Sequence, residues 1–525
     1  MQVTRTVLGH SGSSLRLWSV AGKGYWWLPG VALAAAILCL PFIRSVFSIG
    51  DEGVLLHGAE RMLRGDRLYA DFFEFLPPGG FVLTAAWFSV AGISFLSARL
   101  MVILTIVGIA CFVFLACRQA SRNAPVSALL ATGWVLVSQG VWTQVSHHWF
   151  TTMFSMMTIW AALSNIESGK RGLRWPLVAG VSGGMAAMVT PTNGALAILA
   201  ALVAFTNTSR KQVQFIAYVL GCALVPGALI AYLVWENTFS AAYDDVIQFT
   251  ATRYTSIQGV PFGWGQNIQN YLLVGLFPVT GVLTFLVFIR DWSSSRRDRL
   301  LLLCAASGLA GFVSCFPRPS CAHLGFTAPL VCPLFALCVT RLTQTWPIGR
   351  RYALMGGMIG SLAPAALFLT ALGPIVLRET TVATPVGDIF VPRQSAMPEV
   401  LARLASLPSD DGFFFYPAMP LMPFLTERKQ VTKYDLFTPN YTTPSQYRDA
   451  CVSVMRGASW LVITRMDLSL WQKNFPAMEN AEPPETKAFE LALDRSFDFV
   501  AREGSFELRH RRTGITEAAC TDIAK

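Results

Sequence analysis

Asp51 and Glu52 stand side by side where a long apolar segment, residues 26–48, gives way to a polar one. A carboxylate there is cheap if it sits in water, but drawn into hydrocarbon it costs roughly 3 kcal/mol or more. As a bare helix stop the pair would need nothing after it, yet the segment beyond it is elaborate. Val54 to Leu63 has helical period, with Leu55, Leu56, Ala59, Met62 and Leu63 against His57, Glu60, Arg61 and Arg64, which predicts a short amphipathic helix along the membrane surface. Gly65-Asp66 ends it. "RLYADFFEF" then offers aromatic rings to the headgroup layer, with Asp71 and Glu74 between them, and Leu76-Pro77-Pro78-Gly79-Gly80 starts a second interfacial segment. A loop folded back on the bilayer with a carboxylate at headgroup depth suits a substrate that is half lipid and half polar.

The elements that must position these residues emerge from composition. Hydrophobic residues make up 53% of the 525, charged ones only 14%, and mean hydropathy is +0.47. Soluble domains carry about 25% charged residues, so the chain is expected to be a polytopic α-helical membrane protein. About 20 apolar residues are needed to cross a bilayer. Eleven segments qualify: 26–48, 98–117, 124–142, 148–165, 174–190, 192–206, 213–235, 270–290, 299–316, 324–342 and 352–376. The fifth and sixth are short, interrupted at Thr190-Pro191-Thr192-Asn193-Gly194. The first is too long for a signal-peptide core and ends in no small-residue cleavage site, so it is expected to stay.

Placing residues 1–25 in the cytoplasm puts the basic clusters on one side: Arg5, Arg16 and Lys23; Arg118 and Arg122; Lys170, Arg171 and Arg174; Arg210 and Lys211; Arg290, Arg296, Arg297 and Arg299; Arg350 and Arg351. Asp51, Glu52, His147, His148, Asp244, Asp245 and His323 fall on the other. This register requires that 79–96 not cross. The net charge of +10 then belongs to the positive-inside pattern and to membrane lipid, not to nucleic acid.

Residues 26–376 are thus expected to be the membrane domain, with 51–97 as its first outer loop, and 377–525 a C-terminal extracytoplasmic α/β domain. There "EVLARLASL" (399–407) reads as an amphipathic helix, "GFFFYP" and "SWLVITR" as buried strands, and "FDFVAREGSFELRHR" as a hairpin about Glu503-Gly504. Of the cysteines, Cys315, Cys321, Cys451 and Cys520 could meet an oxidising space, with a Cys451–Cys520 bridge as one option. Thr426 to Lys429 reads as a surface turn. No internal repeat or low-complexity tract is evident.

In its motifs the chain resembles the GT-C membrane glycosyltransferases. The resemblance is carried by a first helix, Asp-Glu, a short helix ending Met-Leu-x-Gly-Asp, aromatics and Pro-Pro-Gly, and again by "FPRPSCAHLGFTAPL" (316–330). It looks most like the bacterial branch related to protein O-mannosyltransferases and lipid A aminoarabinose transferases. That resemblance implies a sugar moved, with inversion, from a polyprenyl-phosphate donor to an acceptor lipid, glycan or protein. It implies a site on the periplasmic face of a bacterial inner membrane. An acceptor hydroxyl is a weak nucleophile, so a carboxylate must take its proton. By position in the motif that base is Asp51, with Glu52 supporting it. The leaving phosphate needs cationic donors: Arg318 foremost, with His323, Arg61 and Arg64 as further candidates. His147, His148, Tyr69 and Asp71 are candidate donor or acceptor contacts.

The chain departs from that family in two places. Relatives often carry Lys before Pro-Pro, where this chain has Leu76, and an acidic residue where it has His147-His148. That histidine pair can bind phosphate, relay a proton, or join Asp51 and His323 around a divalent metal, which nothing in the sequence requires; the alternative is one packed and one solvated ring. Asp244-Asp245 and Arg253-Tyr254 read as a solvated loop or as acceptor contacts. Trp142, Trp149 and Trp264 read as interfacial belt residues. The rival functions are a transporter or lipid-binding protein without chemistry, and a polyprenyl-linked glycan polymerase or ligase. Transporters place charges near the bilayer midplane, often in inverted repeats, whereas here they gather at one face.

Overall fold

A computed structural model describes residues 24–138, 143–168, 172–205, 211–290, 298–376, 379–464, 468–478 and 483–524. Arg5, Arg16, Lys23, Trp142, Lys170, Arg171, Arg210, Arg296 and Arg297 lie outside them. The chain is mostly helical up to Val376 and mixed beyond it. Among the described residues, Phe95–Ser121, Lys211–Trp235, Tyr271–Arg290 and Cys321–Thr343 are single helices long and apolar enough to cross a membrane, and the apolar stretch Ile348–Thr370 reaches that length by joining two consecutive helices. Local chemistry sets helix ends in this bundle. Ser94 caps Phe95–Ser121 by accepting from Ser97 N–H, Asn123 caps Ala124–Val137 with Pro125 in the first turn, and Asp298 caps Arg299–Val313.

Several expected spans are shorter in the structure. The first helix covers Trp27–Cys39 and tightens into a 3₁₀ turn at Leu40–Phe42, because Pro41 removes a ladder donor. Arg174–Val189 and Pro191–Ala201 form a helical hairpin that turns at Thr190. A Cβ on Gly194 would lie 2.2 Å from Ala187 N, so only glycine permits this close crossing. The expected span 352–376 is two helices, Ile348–Ser361 and Ala363–Val376.

The bundle has two chemically distinct ends. At one, Gly24 lies against the Arg118 guanidinium, Arg299 Nη2 donates to Ala204 O (2.5 Å), Arg341 pairs with Asp298, and Arg290 Nη1 donates to Arg341 O (3.3 Å). At the other, Arg99 Nη2 donates to Ser45 O (2.9 Å). The first helix and Phe95–Ser121 therefore run antiparallel, and residues 43–94 leave and return at the same end. The Pro78–Ala91 helix between them, 14 residues or about 21 Å long, has no room in this connectivity to cross. A Cβ added to Gly80, at its start, would lie 3.5 Å from the His147 Cβ, and Phe88 near its end stacks on Phe424 of the C-terminal region.

Residues 379–524 cover this second end. Strands β1 (Glu379–Val382) and β2 (Ile389–Pro392) pair antiparallel, and β2 is stitched to the segment that follows the first helix by Val46 N–H to Phe390 O (2.9 Å). Strands β3 (Phe413–Tyr416), β4 (Trp460–Thr464), β5 (Phe497–Glu503) and β6 (Phe506–Arg511) form a mixed sheet of order β3-β4-β6-β5. β3 and β4 are parallel, joined by the Pro444–Gly457 helix, which opens with a Thr443/Gln446 capping box. β5 and β6 form the expected hairpin, turning at Gly504 with φ +59°. Cys451 and Cys520 are disulfide-bonded; Cys315 and Cys321 are free and buried.

This cover corrects several expectations. The Asp51–Leu63 helix is not a surface amphipath, since Glu52 through Glu60 are all buried. Its polar face is roofed by protein: His57 Nδ1 meets Asp435 Oδ2 at 2.8 Å, and Glu60 accepts from Arg64. The aromatics of 72–75 turn inward as well. Phe72 is buried, Phe73 packs on Phe249 and Tyr434, and Phe75 on Tyr254 and Tyr441. Trp149 is buried against Phe326, not in a belt. Within the expected surface turn 426–429, Arg428 is buried and donates to the carbonyls of Leu404, Leu407 and Pro408.

Roof and helix meet most closely at Gly53, where an added Cβ would lie 2.0 Å from Leu421 N. That neighbour is backbone and cannot rotate away. Gly53→Ala is therefore expected to destabilise the protein by about 2 kcal/mol or more through overpacking, read as a lower melting temperature in detergent.

Candidate functional site

Between the second end of the bundle and its roof lies a cavity of about 870 Å³. Its floor comes from Ser48–Asp51 and Gln144–Trp149, one side from the Arg318–Phe326 stretch, and its roof from Pro417–Met419, Tyr441 and Ser505–Phe506. The wall includes Tyr254, Trp471 and Phe475. Asp51 is the first residue of the Asp51–Leu63 helix, and its side chain is open to this space, not packed away from it. The surrounding protein still strips bulk water from its carboxyl, which raises its pKa above the usual aspartate value, while the Arg318 charge pulls it back.

Arg318 lines the same cavity. It is held by Nη2 donating to Asn474 O (2.7 Å), by Nη1 donating to Gln258 Oε1 (3.4 Å), and by the Phe475 ring, 4.7 Å from its Cζ. Its charge and that of Asp51 act on one another, so the cavity holds an acceptor of protons and a cation within mutual reach. Tyr254 feels both groups, and burial pushes its phenol up to about 12.

Three expected histidines also line the cavity. The His147 and His148 rings lie 4.0 Å apart, His148 meets His323 at 5.0 Å, and His323 Nδ1 is 2.9 Å from Ser320 Oγ. His148 stacks on Phe326. Among the described residues no group of three or more His, Cys, Asp or Glu side chains converges as a metal site.

Glu52 does not touch the cavity. One residue further around the helix it is fully buried and pairs with Arg99, with Oε2 2.9 Å from Nη2, and it accepts from Val145 N–H at 2.9 Å. Arg99 also donates to Ser45 O (2.9 Å) and Thr143 O (2.6 Å). The pair thus ties together both backbone segments that form the floor, and Glu52 supports Asp51 through the backbone, not by direct contact. The segment 98–117 contained the signal: an arginine inside an apolar helix needs a buried partner.

The remaining expected contacts lie off the cavity, each consumed by a local partner. Arg61 bonds Asp66 (2.7 Å) and Asp71 O (3.0 Å), Arg64 pairs with Glu60, Asp71 with Arg67, and Tyr69 donates to Leu76 O (2.8 Å) from a backbone φ of +72°. Leu76 lines the cavity. Tyr254 comes from a stretch that reads as a solvated loop or as acceptor contacts; it folds as a π-helix, Asp244–Tyr254, whose Phe249 is buried. Tyr441, Trp471 and Phe475 carried no sequence signal.

Residues 76–235 match the family model described as dolichyl-phosphate-mannose-protein mannosyltransferase, a stretch that leaves Asp51 and Arg318 outside. No curated protein matches the chain in sequence. Solved structures do match in fold. ArnT from Cupriavidus metallidurans, bound to undecaprenyl phosphate, superposes with TM-score 0.55 at 14% identity, covering 94% of this chain and 99% of its own. Archaeal AglB from Archaeoglobus fulgidus, in complex with an inhibitory peptide and a dolichol-phosphate, gives 0.56 at 11% identity, covering 93% and 74%. Mycobacterial arabinofuranosyltransferase AftD gives 0.52 at 14% identity, covering 93% and 41%. The chain shares its overall fold with these three solved structures.

Proposed function

We propose that the chain transfers a sugar from a polyprenyl-phosphate donor to an acceptor hydroxyl, inverting the anomeric centre, with Asp51 as general base. The observation that carries this reading is Asp51 and Arg318 facing one cavity within electrostatic reach of each other. The acceptor oxygen attacks the anomeric carbon as its proton passes to the Asp51 carboxylate. The bond from that carbon to the phosphate oxygen breaks, and its electron pair stays on the phosphate, beside Arg318. Phosphate is already a good leaving group, so no strong acid is required. The lipid phosphates held by ArnT and AglB support the donor class. About eleven crossings, residence in a bacterial inner membrane, a cytoplasmic N-terminus and a periplasmic domain over 377–525 complete the reading. The acceptor is a lipid, glycan or protein bearing the hydroxyl.

Native mass spectrometry of the purified protein with a panel of undecaprenyl-phosphate sugars tests it: one such lipid should bind and be consumed. Arg318→Ala should weaken that binding about 10- to 100-fold, the worth of a charge-assisted hydrogen bond to phosphate. Unchanged affinity would move the phosphate site elsewhere.

A further inference from the structure

Between the base and the phosphate cation lies the space where a transferred sugar ring must sit, since attacking and leaving oxygens flank its anomeric carbon. The cavity that holds both groups has a lining side chain whose polar atom is unused. Tyr441 lines the cavity and is only 5% exposed, and its hydroxyl has no hydrogen-bond partner among the described residues. A buried hydroxyl without a partner is costly unless something arrives to bond it.

The ring itself is held firmly. Phe249 meets it edge-on at 4.9 Å, Phe75 at 5.4 Å and Tyr254 at 6.0 Å. The segment that carries it is fixed against the base: Asp435, six residues earlier, is the partner of His57 on the helix that Asp51 begins. The charged and polar groups that act on the Tyr441 phenol are Tyr254, Glu74 and Asp51, and burial keeps it protonated and so able to donate. Its neighbour Tyr254 is acted on by the charges of both Asp51 and Arg318.

Resting on the transferase reading, we propose that Tyr441 is a substrate-contacting residue that the C-terminal region lends to the site, its hydroxyl bonding a hydroxyl of the donor's sugar. The roof then reads the sugar, while Arg318 reads the phosphate that all such donors share. Selectivity for the sugar resides in residues after 376, and affinity for the carrier lipid in the helical bundle.

The test compares binding of bare undecaprenyl phosphate with binding of undecaprenyl-phosphate sugars, by native mass spectrometry, in wild type and Tyr441→Phe. The substitution keeps the packed ring and removes only the oxygen. The expected result is that wild type prefers one sugar-bearing lipid, and that Tyr441→Phe loses about tenfold in affinity for that lipid and nothing for the bare one. Tyr434→Phe, whose lost hydroxyl served Asp449 (3.0 Å), should change neither. Equal losses for both lipids, or none, would overturn the proposal and leave the Tyr441 hydroxyl a structural group. A wild type that binds bare and sugar-bearing lipids alike would also overturn it. Failure to bind even the bare lipid would instead sink the transferase reading beneath it.

Discussion

Asp51→Asn is expected to abolish turnover, lowering it by roughly 10²- to 10⁴-fold, while the protein expresses, folds and binds its lipid donor as before. Asparagine preserves the shape of the side chain but cannot take a proton from an acceptor hydroxyl. Retained activity would remove Asp51 as the base. The same group sets the pH dependence. Enclosure by protein holds its carboxyl above the ordinary aspartate value, so activity should fall, as pH drops, at a higher pH than an exposed aspartate would give. Its effect on stability has the opposite sign. A carboxyl whose pKa is raised on folding binds its proton more tightly in the folded state, so ionised Asp51 weakens folding at pH values above the unfolded pKa. Asp51→Asn should therefore melt no lower than wild type at neutral pH, which separates a lost base from a damaged fold.

Arg99→Leu should have the largest effect on stability, about 3–5 kcal/mol, because it leaves Glu52 as an unpaired charge with no exposure to water. The same arginine carries hydrogen bonds to Ser45 O and Thr143 O, so the two backbone segments under the cavity would be released together. Converting both partners, Glu52→Leu with Arg99→Leu, should recover part of the lost melting temperature without recovering activity. Recovery of both would mean that the pair stabilises the bundle and does nothing for the site. Equal destabilisation by the single and double changes would mean that the backbone bonds of Arg99, not its charge pairing, dominate.

Much of the architecture is legible in the chain itself. The four long single-helix spans, the helix at 399–407, the strands over 413–416 and 460–464 and the hairpin about Gly504 are read from hydropathy and period, which local sequence encodes directly. Asp51, Arg318 and the three histidines stand out by residue type in otherwise apolar or outer segments, and the fold brings them to one cavity. What sequence does not show is what covers what. The amphipathic pattern of 54–63 reads the same whether its polar face meets water or, as here, Asp435 from nearly four hundred residues away. Phe73 and Phe75 look like headgroup aromatics until Phe249, Tyr254, Tyr434 and Tyr441 close over them. Arg61, Arg64 and Asp71 have the right chemistry but find partners within a few residues, which removes them from the site. Long-range pairings of this kind leave no mark on local period.

The most direct test of the account is a cryo-electron microscopy structure of the full chain in lipid nanodiscs with undecaprenyl phosphate added. The prediction is density for the phosphate inside the cavity, against Arg318 and within reach of Asp51, with the prenyl chain leading outward between helices. A phosphate bound elsewhere, with the cavity between Asp51 and Arg318 filled only by solvent, would contradict the assignment of this site as the seat of transfer.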